Sequence, residues 1–422
     1  MKNEKYGKIF YKLLILKIIE AKEEGIVFMK ALYAQSGGVT SVINASAYGV
    51  IDEARKNGIE ILVGINGVTG ILKENFLDAS DLDIEFLRYT PAGAFGSCRK
   101  KMKNDSDIEK LFEIFRKNEI RYFFYNGGND SMDTAWRVQM EAQKRGYELK
   151  VVGVPKTIDN DLPHTDHCPG YGSAAKYIAI SMMEAALDLR SMYVDSTQVF
   201  VMEIMGRHAG WLAAAAGLGW INGIGADVIL LPEKPFNKDE FLSTVNKIIS
   251  EKGYCAIAVA EGLKYPDGFF VSDMGFTDSF GNRQLGGVGF TIAGMVRSEL
   301  GLKTHVAIPD YLQRSGRHIA SKTDIEEAEM CGRMAVRYAL EDNYGVMVTM
   351  ERVSNNPYQI KYSSVPLNLV VDQTKMLPKD FYEGYTVTDK FFEYALPLIS
   401  GEFYPPFENG LPSYKLINLG KK

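Results

Sequence analysis

The chain is short of cysteine, has little net charge and lacks any long apolar run, and each shortage removes a class of protein. Its four cysteines, Cys98, Cys168, Cys255 and Cys331, lie far apart with no C-x-x-C pair. That pattern argues against a disulfide framework or a zinc site and suggests a reducing, cytoplasmic setting. Lys and Arg number 48 against 53 Asp and Glu, a formal net charge of −5. No global field therefore draws nucleic acid or an anionic membrane surface. The apolar stretch at 12–19 is broken by Lys17 and followed by A-K-E-E-G, without a cleavage site. Neither secretion nor membrane insertion is expected. The nucleotide-binding pattern G-x-x-x-x-G-K-[ST] is also missing, as are internal repeats, acidic tails and Pro/Gly/Ser linkers.

What is present is a chain of 422 residues, 46% hydrophobic and 24% charged. That exceeds one typical domain of about 100–200 residues, so two domains with sizeable cores are the default. Glycine is abundant, 40 residues, above an average share of about 7%. With no collagen period to absorb them, those glycines must mark tight backbone positions. At the N-terminal end, M-K-A-L-Y-A-Q-S-G-G begins at Met29 and leads straight into an apolar strand. The codons for Glu23-Glu24-Gly25 are necessarily purine-rich, as a bacterial ribosome-binding site would be. Residues 1–28 are thus either a start-site extension or a short amphipathic appendage helix, and the intact mass of the native protein decides between them.

Short apolar runs at 31–35, 61–65, 121–125, 150–154, 198–204, 227–231, 255–260, 305–308 and 345–350 alternate with helical segments such as 41–57, 131–146, 172–192, 237–252 and 322–343. Near-continuous apolar strands separated by helices predict parallel sheets covered on both faces. Ligands of such sheets bind beyond the carboxyl ends of the strands. Gly37-Gly38, Gly127-Gly128 and Gly206 all fall at those ends. Taken singly, each could simply be a turn.

Five motifs carry chemistry. In S-G-G-V-T-S (36–41) two glycines precede a helix start, an arrangement that offers backbone N–H groups to an anion. In Y-N-G-G-N-D-S (125–131), Asn129 and Asp130 place metal-capable oxygens beside a glycine turn, although Asp130 or Ser131 could equally be a helix cap. P-K-T-I-D-N-D-L-P (155–163) sets Asp159 and Asp161 two residues apart, with Lys156 close by and proline at each end. In extended backbone, residues i and i+2 share a side, which suits one carboxylate as base and the other as orienter or metal ligand; a solvated charged turn is the bland alternative. The stretch P-G-Y-G-S-A-A (169–175) matches G-x-G-x-x-A, but a polar loop separates it from the preceding strand. A dinucleotide site is therefore not expected there. M-G-R-H-A-G-W (205–211) delivers Arg207 and His208 at a strand end, Glu261 ends another strand, and Y-L-Q-R-S-G-R (311–317) supplies Arg314 and Arg317. Anion cradles, paired carboxylates and arginines together describe phosphoryl transfer to a hydroxyl.

Over residues 29–340 these motifs resemble the phosphofructokinase superfamily, and P-K-T-I-D-N-D with M-G-R-H-A-G-W resembles its pyrophosphate-dependent members. Related ATP users typically carry glycine where Asp130 and Lys156 stand. Two charges about 4 Å apart at an effective dielectric near 20 interact by ~4 kcal/mol, so Asp130 would repel a nucleotide α-phosphate while Lys156 attracts a small dense anion. The resemblance implies two Rossmann-like three-layer α/β/α domains with mainly parallel sheets. It divides the chain into a pyrophosphate domain, 29–170 plus 313–365, and a fructose 6-phosphate domain, 171–312 plus 366–422. It implies Asp159 as general base, with Asp161, Lys156 and Arg207 completing the catalytic set. Gly37, Gly38, Arg99, Gly128, Asp130 and Lys156 would bind and select pyrophosphate. Thr157, Ile158, Asp159, Met205, Gly206, Arg207, Glu261, Tyr311 and Arg314 would hold the sugar phosphate. Mg²⁺ is the implied cofactor, with Asn129, Asp130 and Asp161 as candidate ligands, and a homodimer or homotetramer the implied assembly.

Four departures from the family pattern bear on these expectations. Asn129 stands where many relatives have an aspartate, which puts the metal ligands in question, and Val39 replaces another aspartate. Gln198 and His305 occupy places where relatives commonly have phosphate-gripping arginines, which leaves Lys303 or Arg317 to compensate, or the acceptor to broaden to a sugar such as sedoheptulose 7-phosphate. Segment 219–232 lacks the basic cluster of allosteric relatives, so weak or no nucleotide regulation is expected. An ATP-dependent kinase, a non-catalytic sugar-phosphate-binding paralogue and a nicotinamide oxidoreductase are the rival readings.

Overall fold

The computed structural model describes residues 29–277 and 283–419. The expectation for residues 1–28 lies outside the described residues. Thirteen labelled strands follow in chain order: β1 (Lys30–Gln35), β2 (Glu60–Gly64), β3 (Phe76–Asp78), β4 (Ile120–Gly127), β5 (Lys150–Pro155), β6 (Val199–Ile204), β7 (Val228–Leu230), β8 (Cys255–Ala260), β9 (Asp273–Thr277), β10 (Arg283–Leu285), β11 (Thr304–Ala307), β12 (Val346–Asn355) and β13 (Tyr358–Pro366).

Two sheets dominate. The first has the order β13-β12-β5-β4-β1-β2-β3. Its five central strands run parallel, and antiparallel β3 and β13 close its edges. The second, β11-β6-β8-β7, is wholly parallel. Both have helices on two faces, and the side-chain alternation of their strands shows why. On β1, Ala31 and Tyr33 join one buried cluster while Leu32 and Ala34 join another. On β8, Ala256, Ala258 and Ala260 pack to one side and Cys255, Ile257 and Val259 to the other. A strand apolar on both faces needs cover on both. The expected pair of three-layer α/β/α arrangements with mainly parallel sheets is what the chain forms.

One helix contact is unusually tight. Helices Ile43–Lys56 and Lys322–Leu340 cross at Gly49 and Gly332. A Cβ on Gly49 would stand 2.0 Å from the Glu329 carbonyl oxygen, and one on Gly332 would stand 2.1 Å from that of Ser46. The second helix also begins with a task. Asp324 accepts hydrogen bonds from the N–H groups of Gly170 (2.8 Å) and Ser173 (2.9 Å), which open helix Tyr171–Met192. That settles the G-x-G-x-x-A match: an internal carboxylate already caps this helix, and Gly172 is small because a Cβ there would meet the Leu398 carbonyl oxygen at 2.4 Å.

Candidate active site

Four of the motifs, and Glu261, sit where a parallel strand ends. β1 runs into Gly37-Gly38, β4 into Gly127-Gly128, β5 into Lys156–Asp161, β6 into Met205–Arg207 and β8 into Glu261. A cleft of about 820 Å³ opens there, lined by Gly37, Gly38 and Arg99 on one side and by Met205, Arg207 and Glu261 on the other, with Arg314 between.

The anion side is built around Gly37 and Gly38. Lys156 is buried, and its ammonium group donates to the Gly38 carbonyl oxygen. A Cβ on Gly37 would lie 3.5 Å from Lys156 Nζ, and one on Gly38 would lie 3.0 Å from an Arg314 nitrogen and 3.7 Å from an Arg99 nitrogen. Three cationic side chains from distant parts of the sequence therefore meet at one glycine turn. Burial lowers the Lys156 pKa to about 8, with Asp159 opposing the shift and Arg314 and Arg99 adding to it. A cluster this rich in positive charge favours a compact anion.

The carboxylates face it. Burial is the first cause that holds Asp159 well above the ordinary carboxylate range, followed by the charges of Asp161 and Glu261, while Lys156 and Arg207 pull it down. Burial raises Asp161 as well, against a hydrogen bond from Thr157 and the charge of Lys375. Glu261 is also raised by burial, with Arg207 as its principal counter-charge. Asp159, Asp161, Glu261, Lys156 and Arg207 thus form one electrostatic group. A raised carboxylate beside a cleft is what a general base working near neutral pH requires.

Not every candidate residue takes part in the same way. Asp130 is exposed and paired with Lys101 at 2.8 Å. Ile158 is buried in the core of the second sheet's helix layer. Thr157 turns to its own loop, where Oγ1 accepts the Asp159 N–H at 3.1 Å. Tyr311 is exposed, and the Arg314 guanidinium lies 4.0 Å from its ring centroid. Arg317 cannot compensate for missing arginines in the cleft. It is 1% exposed and donates to the carbonyls of Phe403 (2.6 Å) and Arg88 (2.7 Å), fastening the C-terminal segment. Lys303 is exposed, with Ser196 Oγ 3.4 Å away.

Two cleft residues have tasks that the motifs did not assign to them. Gln313 is buried and its Oε1 accepts the Met205 N–H at 3.1 Å, holding the loop before Arg207. Its position inside the helix Tyr311–Ser315, next to Arg314, was the available clue. Glu203 lines the cleft wall and accepts N–H bonds from Gly287 (3.1 Å) and Gly289 (2.8 Å). Two buried polar atoms in this region, Asn129 Oδ1 and Arg207 Nε, have no hydrogen-bond partner within the protein.

Gly206 has a φ of +141°, and a Cβ there would come within 2.7 Å of the Ala209 carbonyl oxygen. Gly206→Ala should therefore cost ~1–3 kcal/mol, the usual range for a forced backbone outlier. A thermal melt checks this, and an unchanged midpoint would show that the loop absorbs the methyl group.

Comparison with known proteins adds an independent line. The phosphofructokinase family model matches residues 30–339. A pyrophosphate–fructose 6-phosphate 1-phosphotransferase from Halomonas elongata is 49% identical over 404 residues, 93% of this chain and 96% of that protein. One from Xanthomonas campestris pv. campestris is 50% identical over 409 residues, covering 93% and 97%. The crystal structure of a pyrophosphate-dependent phosphofructokinase from Nitrosospira multiformis superposes with a TM-score of 0.86 at 47% identity, covering 94% of this chain and 99% of that one.

Proposed function

Because the chain belongs to the phosphofructokinase family, we infer that its cleft transfers a phosphoryl group from pyrophosphate to the C1 hydroxyl of fructose 6-phosphate, giving fructose 1,6-bisphosphate and phosphate. The observation that carries this is the convergence of Lys156, Arg99 and Arg314 on the Gly37-Gly38 turn, with Asp159 in the same electrostatic group. Asp159 takes the hydroxyl proton. The freed oxygen attacks the terminal phosphorus in line, and the second phosphate leaves toward the cationic turn. Lys156 and Arg207 offset the charge spread over the transferring group, the main form of catalysis open to a protein in this reaction. Met205, Gly206, Arg207, Glu261, Tyr311 and Arg314 hold the sugar phosphate, and Asp161 orients Asp159. Donor and product ester are similar in energy, so the reaction runs both ways.

Phosphotransferases of this family generally use a divalent metal such as Mg²⁺. Asn129 and Asp161 fit that role. Asn129 Nδ2 donates to Asp161 Oδ2 at 3.1 Å, and Asn129 Oδ1 is a buried acceptor without a partner within the protein. No cluster of three His, Cys, Asp or Glu side chains stands ready among the described residues. Mg²⁺ commonly binds through one or two protein oxygens plus substrate phosphates, so Asp161, with Asn129 beside it, would suffice. When bound, the metal would neutralise phosphate charge.

The sheet built from β1–β5, β12 and β13 forms the pyrophosphate side, 29–170 plus 313–365, and the sheet of β6–β8 and β11 the sugar side, 171–312 plus 366–422. No helix among the described residues is long and apolar enough to cross a membrane. The proposed setting is the cytoplasm and the proposed assembly a homodimer or homotetramer.

A donor-and-acceptor panel tests the reading. Turnover is expected with pyrophosphate and fructose 6-phosphate, and turnover with ATP alone would overturn it. The pH profile gives a second check. Asp159 must be ionised and Lys156 protonated, so kcat/KM should fall on the acid side with a midpoint above the ordinary Asp value of about 3.9, and on the alkaline side near the Lys156 value of about 8. Glu261→Gln removes a charge that raises Asp159 and should move the acid limb to lower pH. An unmoved limb would show that Asp159 is not the group being titrated.

A further inference from the structure

Residues 372–377 lie beyond the segment matched by the family model, 30–339, yet they touch both loops of the site. The Lys375 N–H donates to the Asp161 carbonyl oxygen at 2.8 Å. The Lys375 carbonyl accepts from Trp211 Nε1 at 2.9 Å. The Leu377 N–H donates to Glu233 Oε1 at 3.0 Å, and that oxygen also accepts the Gly210 N–H at 2.9 Å. One short strap is thereby bonded to the paired-aspartate loop and to the end of M-G-R-H-A-G-W.

The Lys375 side chain adds a second set of bonds. Its Nζ donates to the carbonyls of Asp166 (2.8 Å) and Thr165 (3.1 Å) and to Asn160 Oδ1 (3.4 Å), which occupies all three ammonium protons. Asn160 stands between Asp159 and Asp161, fully buried, with φ +56°. Its Oδ1 also accepts the Cys168 N–H (2.9 Å), and its Nδ2 donates to the Tyr394 hydroxyl (2.7 Å), which donates in turn to the Asp166 carbonyl (2.9 Å). A left-handed residue sets the relative direction of its two neighbours, so whatever fixes Asn160 fixes how Asp159 stands to Asp161.

We propose that Lys375 is a positioning residue for the phosphoryl transfer: the strap it belongs to clamps the paired-aspartate loop to the Met-Gly-Arg-His loop, and its ammonium group ties Asn160, left-handed between the two aspartates, to the backbone of Thr165 and Asp166. This rests on the phosphotransferase reading and deepens it. Lys375 touches no reacting atom. Its charge reaches Asp161, but Asp166 does not depend on it, having Arg352 at 2.8 Å and His167 at 2.8 Å. An ammonium group spent on carbonyls and one amide serves the geometry of the loop.

Lys375→Met keeps the length of the side chain and deletes the three donors. With pyrophosphate and fructose 6-phosphate, kcat should fall about 10–100-fold, the scale of loss from slight misplacement of reacting groups. Both KM values should stay within about threefold, since binding contacts are untouched. Leu377→Ala is the control: it opens a cavity in the same strap but keeps every backbone bond, and kcat should remain within about twofold below its melting point. Wild-type-like kcat in folded Lys375→Met, or equal losses in the two variants, would overturn the proposal. If Lys375→Met does not fold, Tyr394→Phe removes only the hydroxyl that bridges Asn160 and Asp166. A kcat loss of about 3–10-fold would then support the clamp, and an unchanged kcat would defeat it. The wild type is assayed first, so an inactive wild type marks failure of the reaction assignment and is seen separately from failure of the strap.

Discussion

Asp159→Ala should lower kcat by ~10²-fold or more, the range for removal of a positioned general base, with little change in either KM. The fold should survive it. Asp159 sits where burial and the Asp161 and Glu261 charges disfavour its ionised form. Its pKa is higher folded than unfolded, so folding takes up a proton between the two values. Its contribution to stability is therefore complete below the unfolded value and is lost as pH rises through the folded one. At neutral pH and above, the alanine variant loses an unfavourable ionised carboxylate, and its melting temperature should equal or exceed that of the wild type. Steady-state kinetics beside a thermal melt separates the two effects. Near-normal turnover would end the general-base assignment, and a collapsed melting temperature would mean that the residue is structural.

The second large effect concerns the donor. Replacing Asp130 and Lys156 together by glycine should lower kcat/KM for pyrophosphate by ~10²-fold or more and admit ATP, since the interactions removed are each of order 4 kcal/mol at about 4 Å before screening. The two residues contribute unequally. Lys156 is buried against the Gly37-Gly38 turn among Arg99 and Arg314, so its loss should carry most of the pyrophosphate defect. Asp130 is exposed and neutralised in part by Lys101, so Asp130→Gly alone should change pyrophosphate use little and act mainly by removing bulk and charge from the path of a nucleotide. Donor competition between ATP and pyrophosphate measures the switch. An unchanged preference in the double variant would refute this account of the pair.

The strand ends were legible because two signals coincide there: an apolar run stops, and glycine meets a polar or charged residue. That coincidence located β1, β4 and β6 and, through them, Gly38 and Arg207, whereas the loop after β5, with Lys156 and Asp159, was marked by its paired aspartates and flanking prolines. β13 escapes the same search, since its residues are mostly part-exposed and alternate in polarity, as an edge strand's do. The antiparallel β3 is too short, three residues, to show a period. Arg317 misled for a related reason: residue type and nearness to a motif do not report burial, and this guanidinium is enclosed with carbonyl partners. Lys375 had no local signal at all. It stands more than two hundred residues from the loop it contacts, and the bonds that define it go to backbone carbonyls, which leave no mark in a sequence.

The contact of Gly49 with Gly332 bears on how the molecule can move. Packed helices usually shear by small rotamer changes in the side chains between them. Here, at the crossing, that cushion is missing, and peptide rests on peptide. A seam of this kind can be locked or broken but not slid. The helix Lys322–Leu340 carries Asp324 to the start of helix Tyr171–Met192, so the seam also pins the long helix that leads to the second sheet. Any movement within the molecule is therefore expected to leave this seam intact and to fall in the connecting loops instead.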